Sequence, residues 1–335
     1  MPKVFYGDAA IEIEAGETVL QALLRSGIDA AFSCETGSCQ TCMLKAGDSD
    51  LPVESQASLV GKLRVQGYFL PCVCKPKDDI TVVDAELDSL YQPLKIVEKH
   101  HYNRNICRLR FSKPAGFEYR AGQFINLRSP DHNSIIRSYS LCSHPHEDDF
   151  LEIQVHHKIN GNLSGVLCET LQVGESIDMQ GPNGHCYYRS ESQRPMLLIA
   201  TNTGIAPLYG IVRAALREQH QAGIHIYYGS RKHEGLYLLD DLEALAATHP
   251  QLTLRATLSG EAHEVIAAGE HLQAGRAHEH AFVDHKALAE YDLYLCGNSG
   301  MVKAAQMQGF LAGIPMQRIY TDPFEHKDLR TTKRS

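Results

Sequence analysis

The chain contains no tryptophan, and no apolar run approaches the roughly 18 residues that a membrane-crossing helix needs. Its opening residues, MPKVFYGDAA, carry no apolar signal core. These absences predict a cytoplasmic protein with no membrane partner. Lys and Arg form no basic block, and the formal net charge is −8, which argues against nucleic acid as a partner. The 18 histidines fit no zinc-protease spacing; His278, His280 and His285 fall in a polar stretch and are read as no metal site. Ten cysteines spread over 335 residues do not make a small disulfide scaffold, so a reducing compartment is expected. Cys107, Cys142, Cys168 and Cys186 stand singly in apolar or strand-like contexts and are expected to be buried thiols.

What is present points to two or three modules, each able to bury a core, from the length and a hydrophobic fraction of 43%. The densest signal is C-x4-C-x2-C at Cys34, Cys39 and Cys42, followed further on by Cys72 and Cys74. Only one C-x2-C knuckle occurs, whereas zinc sites usually take two. The spacing is that of a [2Fe–2S] cluster, in which thiolates converge on one small anionic object. Cys72 and Cys74 lie two apart; in a strand both would face the same side, so either could be the fourth ligand. Before the loop, residues 4–6 and 11–13 read as a hairpin, and Thr18 as the N-cap of a helix closed by Gly27. Beyond it, residues 55–66 read as loosely helical, residues 68–72 as a strand, and residues 80–83 as the strand that closes the sheet.

Segments 94–99, 106–112, 123–128, 137–142 and 151–157 are short, strand-like and broken by Pro, Gly and Asn, which predicts a small antiparallel barrel. It contains Arg137-Ser-Tyr139-Ser140, then Gly161-Asn162-Leu163-Ser164, then Gly181-Pro-Asn-Gly184. A guanidinium is a forked donor for phosphate, and a phenol offers a flat face for stacking. Alternation places Arg137 and Tyr139 on one strand face and Ser140 on the other, so Ser140 needs a local bend or its backbone to join them. Residues 196–200 then read as a buried strand, followed by Thr203-Gly204-Ile-Ala-Pro207 and an apolar helix, the form of a pyrophosphate cradle. A second strand, 225–228, ends at Arg231 and Lys232, basic residues able to hold a 2′-phosphate. Residues 291–295 lead into Cys296-Gly297, and Phe324 closes a late Asp-Pro-Phe segment.

Over nearly its whole length the chain resembles the reductase components of bacterial oxygenases, such as those for benzoate dioxygenase, phenol hydroxylase and methane monooxygenase. These join a plant-type ferredoxin to the flavin and nicotinamide domains of the ferredoxin–NADP reductase superfamily. The resemblance implies an α+β and α/β multidomain fold. A β-grasp ferredoxin occupies residues 1–90, an antiparallel flavin-binding β-barrel 91–192, and a parallel-sheet nicotinamide-binding domain 193–335 with a solvated tail. It implies Cys34, Cys39, Cys42 and Cys72 as cluster ligands, Cys72 being the first cysteine of an L-x-C-x-C-x-P run. Gln40 departs from the glycine that many relatives carry.

The resemblance further implies FAD in preference to FMN. Arg137 and the Gly161–Ser164 loop would hold its pyrophosphate, Tyr139 would pack on the isoalloxazine, and Ser140 would lie near N5. Thr203, Gly204, Arg231 and Gly297 fall to the nicotinamide, Cys296 to its reaction site, and Phe324 to a ring covering the flavin. NADH is favoured over NADPH. Hydride would pass to the flavin, and electrons would then pass singly through the cluster to a protein acceptor, expected to be an oxygenase component. Two competing readings are a reductase for a deoxysugar-forming dehydrase and a non-catalytic redox-sensing flavoprotein.

Overall fold

The computed structural model describes residues 1–83, 87–130, 135–159, 161–260 and 272–324; the expected tail lies outside these. Three sheets follow one another along the chain. The first is built from β1 (Lys3–Tyr6), β2 (Ala9–Glu12), β3 (Leu44–Ala46), β4 (Tyr68–Phe69) and β5 (Ile80–Val83), in the order β2-β1-β5-β3-β4. β5 is therefore central: it pairs parallel to β1 and antiparallel to β3, rather than closing an edge. Helix α1 (Val19–Arg25) opens on a capping box, with Thr18 and Gln21 each bonding the other's backbone N–H. Its buried face, Val19, Leu20, Ala22 and Leu23, joins Val4, Phe69 and Ile80 in a core made only of residues from this part of the chain. The expected helical stretch is a short turn, Val53–Gln56, followed by α2 (Gly61–Val65).

The second sheet is antiparallel, in the order β10-β7-β6-β11-β8-β9. Its strands are β6 (Gln92–Asn103), β7 (Ile106–Ser112), β8 (Phe124–Arg128), β9 (Ile136–Ser140), β10 (Phe150–His156) and β11 (Ser176–Asn183). A bridge between Leu141 and Ile153 closes β9 onto β10, making a barrel. β11 was not anticipated from the sequence, because its second half is the Gly-Pro turn motif. Between β10 and β11 lies α3 (Asn162–Gly165), whose last turn runs on through Val166–Thr170.

The third sheet is wholly parallel, in the order β15-β14-β13-β12-β16-β17. Its strands are β12 (Met196–Thr201), β13 (Ile224–Ser230), β14 (Leu252–Leu258), β15 (Leu272–Ala274), β16 (Asp292–Asn298) and β17 (Ile319–Phe324). Helices α4 (Ile205–Arg217), α5 (Leu239–Thr248), α6 (Ala277–Asp284) and α7 (Ser299–Leu311) connect them. Central strands such as β12 are buried on both faces, as parallel strands are. The core on one face of this sheet continues into the barrel through Ala121, Cys186 and Tyr188. Among the described residues no helix is long and apolar enough to cross a membrane.

Candidate functional site

The loop after α1 turns sharply enough to gather three cysteines. Glu35 and Gln40 both take left-handed backbone angles, with φ of 53° and 59°. The buried Gln40 amide donates to the Ser58 carbonyl at 2.9 Å, which fixes the loop from beneath. The Cys34 sulfur accepts from the backbone N–H of Thr36 at 3.3 Å and of Cys39 at 3.4 Å. Donation from the Cys39 thiol, with help from Ser38 and Thr36, pulls the Cys34 thiol down to about 4. The Cys72 thiol stands next to Cys42, and that neighbour together with burial pushes Cys42 up.

The thiols thus stand as two adjacent pairs. Two such pairs suit a centre of two irons with two thiolates on each. The strand expected over 68–72 stops at Phe69. Pro71 supplies no N–H, and the chain turns, with Val73 N–H bonding Leu70 O at 3.2 Å. Cys72 and Cys74 therefore do not share a strand face. Cys74 is fully buried beside Ser55, and burial pushes its thiol up to about 12.

A cavity of about 240 Å³ begins at this loop, where Cys34 and Cys39 line it and Cys42 and Cys72 do not. One wall is β9, with Arg137, Tyr139 and Ser140; another is the Gly161–Ser164 loop; the far wall is Thr203, Pro207 and Phe324. Tyr139 packs toward the barrel core, and burial pushes its phenol well above the usual range, so it presents an uncharged ring. Ser140 faces the other way, as alternation along β9 requires, and still lines the cavity. Its hydroxyl donates to Asp322 Oδ2 at 2.5 Å. Burial pushes the Asp322 carboxyl up to about 6, offset in part by that bond. The forked cation, flat ring and Gly161–Ser164 loop fit a flavin dinucleotide, and the thiols at the cavity's end fit a cluster.

Behind the far wall, the turn before α4 meets the end of β16. Gly204 sits so close to Cys296 that a Cβ there would stand 2.3 Å from the Cys296 carbonyl oxygen. The early loop positions are held by Thr201 and Asn202. Asn202 adopts φ 49°, a conformation Asn tolerates better than most residues, and its side chain accepts from Ser230 at the end of β13. The Cys296 thiol is buried, and burial with the neighbouring Cys186 sulfur at 3.7 Å pushes it well up; it stays neutral. Gly204, Cys296 and Gly297 lie behind the cavity lining, and Arg231 is exposed beyond β13. Of the tempting histidines, His278 is buried, His280 bonds the Ala274 carbonyl, and His285 stacks on His225. Cys107, Cys142, Cys168 and Cys186 are all buried.

Sequence reasoning missed Asp322, although an acid inside an apolar strand end was a signal that could have been read. It also missed Asn126 and Ser138, whose side chains reach the carbonyl of Cys39. Asn126 belongs to no recognisable motif, and Ser138 is the variable position within the Arg137–Ser140 motif.

Three family models match in series: a 2Fe-2S iron-sulfur cluster binding domain over residues 6–77, an oxidoreductase FAD-binding domain over 93–188, and an oxidoreductase NAD-binding domain over 198–307. The chain is 32% identical over 326 residues to the ferredoxin–NAD(P)(+) reductase component of the naphthalene 1,2-dioxygenase system of Pseudomonas putida, covering 94% of this chain and 95% of that one. It is 28% identical over 320 residues to the CDP-6-deoxy-L-threo-D-glycero-4-hexulose-3-dehydrase reductase of Yersinia pestis, covering 92% and 93%. The crystal structure of an Amycolatopsis cytochrome P450 reductase superposes with a TM-score of 0.67 at 26% identity, covering 97% and 99%.

Proposed function

We propose, from the premise that this chain belongs to the family of three-module reductase components joining a 2Fe-2S domain to FAD- and NAD-binding domains, that its acceptor is an oxygenase component. The protein is an NAD(P)H-dependent oxidoreductase that moves electrons through FAD and a [2Fe–2S] cluster to a protein acceptor. The proposed modules are residues 1–90, 91–192 and 193–335. The observation that carries the reading is the single cavity with Cys34 and Cys39 at one end, β9 along its side, and Thr203 and Pro207 at the other.

When bound, the nicotinamide supplies a hydride, the flavin divides the electron pair, and the cluster carries electrons one at a time. The protein's part is to bind, orient and tune. In this reading Arg137 and the Gly161–Ser164 loop hold the pyrophosphate, and Tyr139 and Phe324 pack on the ring system. Gly204 and Gly297 let the turn before α4 pack against the ends of β16 and β12, which sets Thr203 at the cavity wall for the dinucleotide. Ser140, held by Asp322, presents its hydroxyl at the cavity, and the Cys296 thiol, buried behind the lining, stays neutral and places no charge near the nicotinamide site. Cys34, Cys39, Cys42 and Cys72 are the proposed ligands. NADH is the proposed donor; Arg231 and Lys232, both exposed beyond β13, are where a 2′-phosphate would be read.

The test is an anaerobic titration with NADH and then NADPH, followed in the visible spectrum. Bleaching of flavin and cluster bands by NADH is expected; bleaching by NADPH alone would overturn the donor assignment. A purified aromatic-ring dioxygenase given this protein as its reductase should then form product with NADH. A second reading, delivery to a deoxysugar dehydrase, rests on the Yersinia relative, and the same assay with a dehydrase separates the two.

A further inference from the structure

We propose that Asn126 is a positioning residue for the transfer of electrons into the cluster, acting through the backbone of Cys39. This rests on the functional reading above. Asn126 lies in the middle of β8, opposite Ser138 on β9 and Gln180 on β11. The three form a polar row across adjacent strands, on the barrel face that meets the cluster loop. Asn126 is 1% exposed, and each polar atom of its side chain is engaged. One amide hydrogen goes to the Cys39 carbonyl at 3.1 Å and the other to Gln180 Oε1 at 3.1 Å, while Oδ1 accepts from Ser138 at 2.7 Å. Gln180 is held in turn by Asn183 at 2.9 Å, so the Asn126 amide cannot rotate without breaking bonds to two strands. The Ser138 hydroxyl also lies 3.4 Å from the same Cys39 carbonyl, but its one hydrogen goes to Asn126 Oδ1 at the shorter distance, which leaves the Asn126 amide as the main donor to Cys39.

A buried polar row in a barrel face is costly unless every member is satisfied. This row is satisfied by reaching out of its own module to a single carbonyl. That carbonyl belongs to a proposed ligand which also lines the flavin cavity, whereas Asn126 itself does not line it. Asn126 therefore sets where one end of the electron path sits without touching the flavin. Replacing it should slow passage into the cluster and leave the nicotinamide-to-flavin step alone.

The experiment uses the holoprotein with two artificial acceptors. Ferricyanide takes electrons from the flavin half, and cytochrome c takes them through the cluster. In Asn126→Leu, cytochrome c reduction should fall severalfold relative to ferricyanide reduction. Hydrogen exchange of the 34–42 amides should rise in the same variant, a readout that does not depend on turnover. An unchanged ratio, or a parallel fall of both reactions, overturns the proposal. If the Leu variant loses flavin, Asn126→Asp decides on the same ratio, since it keeps the size and the acceptor for Ser138 but loses the amide donor. Failure of the functional reading would look different: the wild type itself would reduce ferricyanide and not cytochrome c.

Discussion

The two junctions of this molecule are built in opposite ways. Between barrel and nicotinamide module the hydrophobic core is continuous, with Ala121, Cys186 and Tyr188 packed among Leu198, Ile211 and Tyr294. Around it Arg213 pairs with Asp148 at 2.8 Å and Glu147 at 2.9 Å, Asn103 bonds the Glu234 carbonyl, and Tyr237 bonds Gln154. Between cluster module and barrel the cores are separate, and the contacts are polar. The Asn126 row holds Cys39, and two residues along β8 Arg128 pairs with Asp88. The chemistry explains the difference. Hydride transfer needs reacting atoms at about 3–3.5 Å in fixed alignment, so its junction is welded. An electron needs proximity without bonding contact, so a lighter joint suffices.

The strongest way to break this comparison is to attack the welded junction. Gly122 has φ 95°, and a Cβ there would stand 2.6 Å from the Cys186 carbonyl oxygen and 2.7 Å from Ile211 on α4. Gly122→Val combines a forbidden backbone angle with a clash against main chain, costing about 3 kcal/mol or more. The expected product is a protein that loses flavin yet retains the visible spectrum of its cluster, because the first core is self-contained. Loss of both chromophores together would show that the cluster module depends on the rest of the chain.

The converse experiment acts on the light side. Cys72→Ser should abolish or severely alter the cluster while flavin stays bound, since Cys72 pairs with Cys42 in the loop cluster. Cys74→Ser should keep the cluster, because Cys74 turns into the core toward Ser55 and its carbonyl only anchors the start of α1. Metal analysis and the visible spectrum decide, and the reverse pattern would transfer the ligand assignment to Cys74.

How far the sequence carried these assignments depended on whether a feature was local. The cluster loop, the strand–turn–helix at Thr203–Pro207 and the Thr18 cap are written in consecutive residues, and each was legible. The barrel was legible from strand spacing except for β11, whose Gly-Pro turn hid a strand that pairs with both β6 and β8. What stayed hidden is long-range. Asn126 meets Cys39 across 87 positions and Ser140 meets Asp322 across 182, and no spacing rule links such pairs. Cys72 and Cys74 were misread as strand neighbours because periodicity does not register that Pro71 ends the ladder.

The smallest effect expected sharpens the comparison by asking what else the welded junction contains. The Ser140–Asp322 bond crosses it, and burial raises the Asp322 carboxyl from its usual 3.8 to about 6. The folded state therefore binds this proton more tightly than the unfolded state. The stability so gained is complete below about pH 4 and is lost as pH rises through about 6. Asp322→Asn keeps the shape and the acceptor for Ser140 but does not titrate. Its melting temperature relative to the wild type should rise by about 2–4 °C between about pH 5 and about pH 8, the shift that about 1 kcal/mol gives in a unit of this size. A gap that stays constant with pH would mean that Asp322 keeps its charge when buried, and that Ser140 alone carries the pairing across the junction.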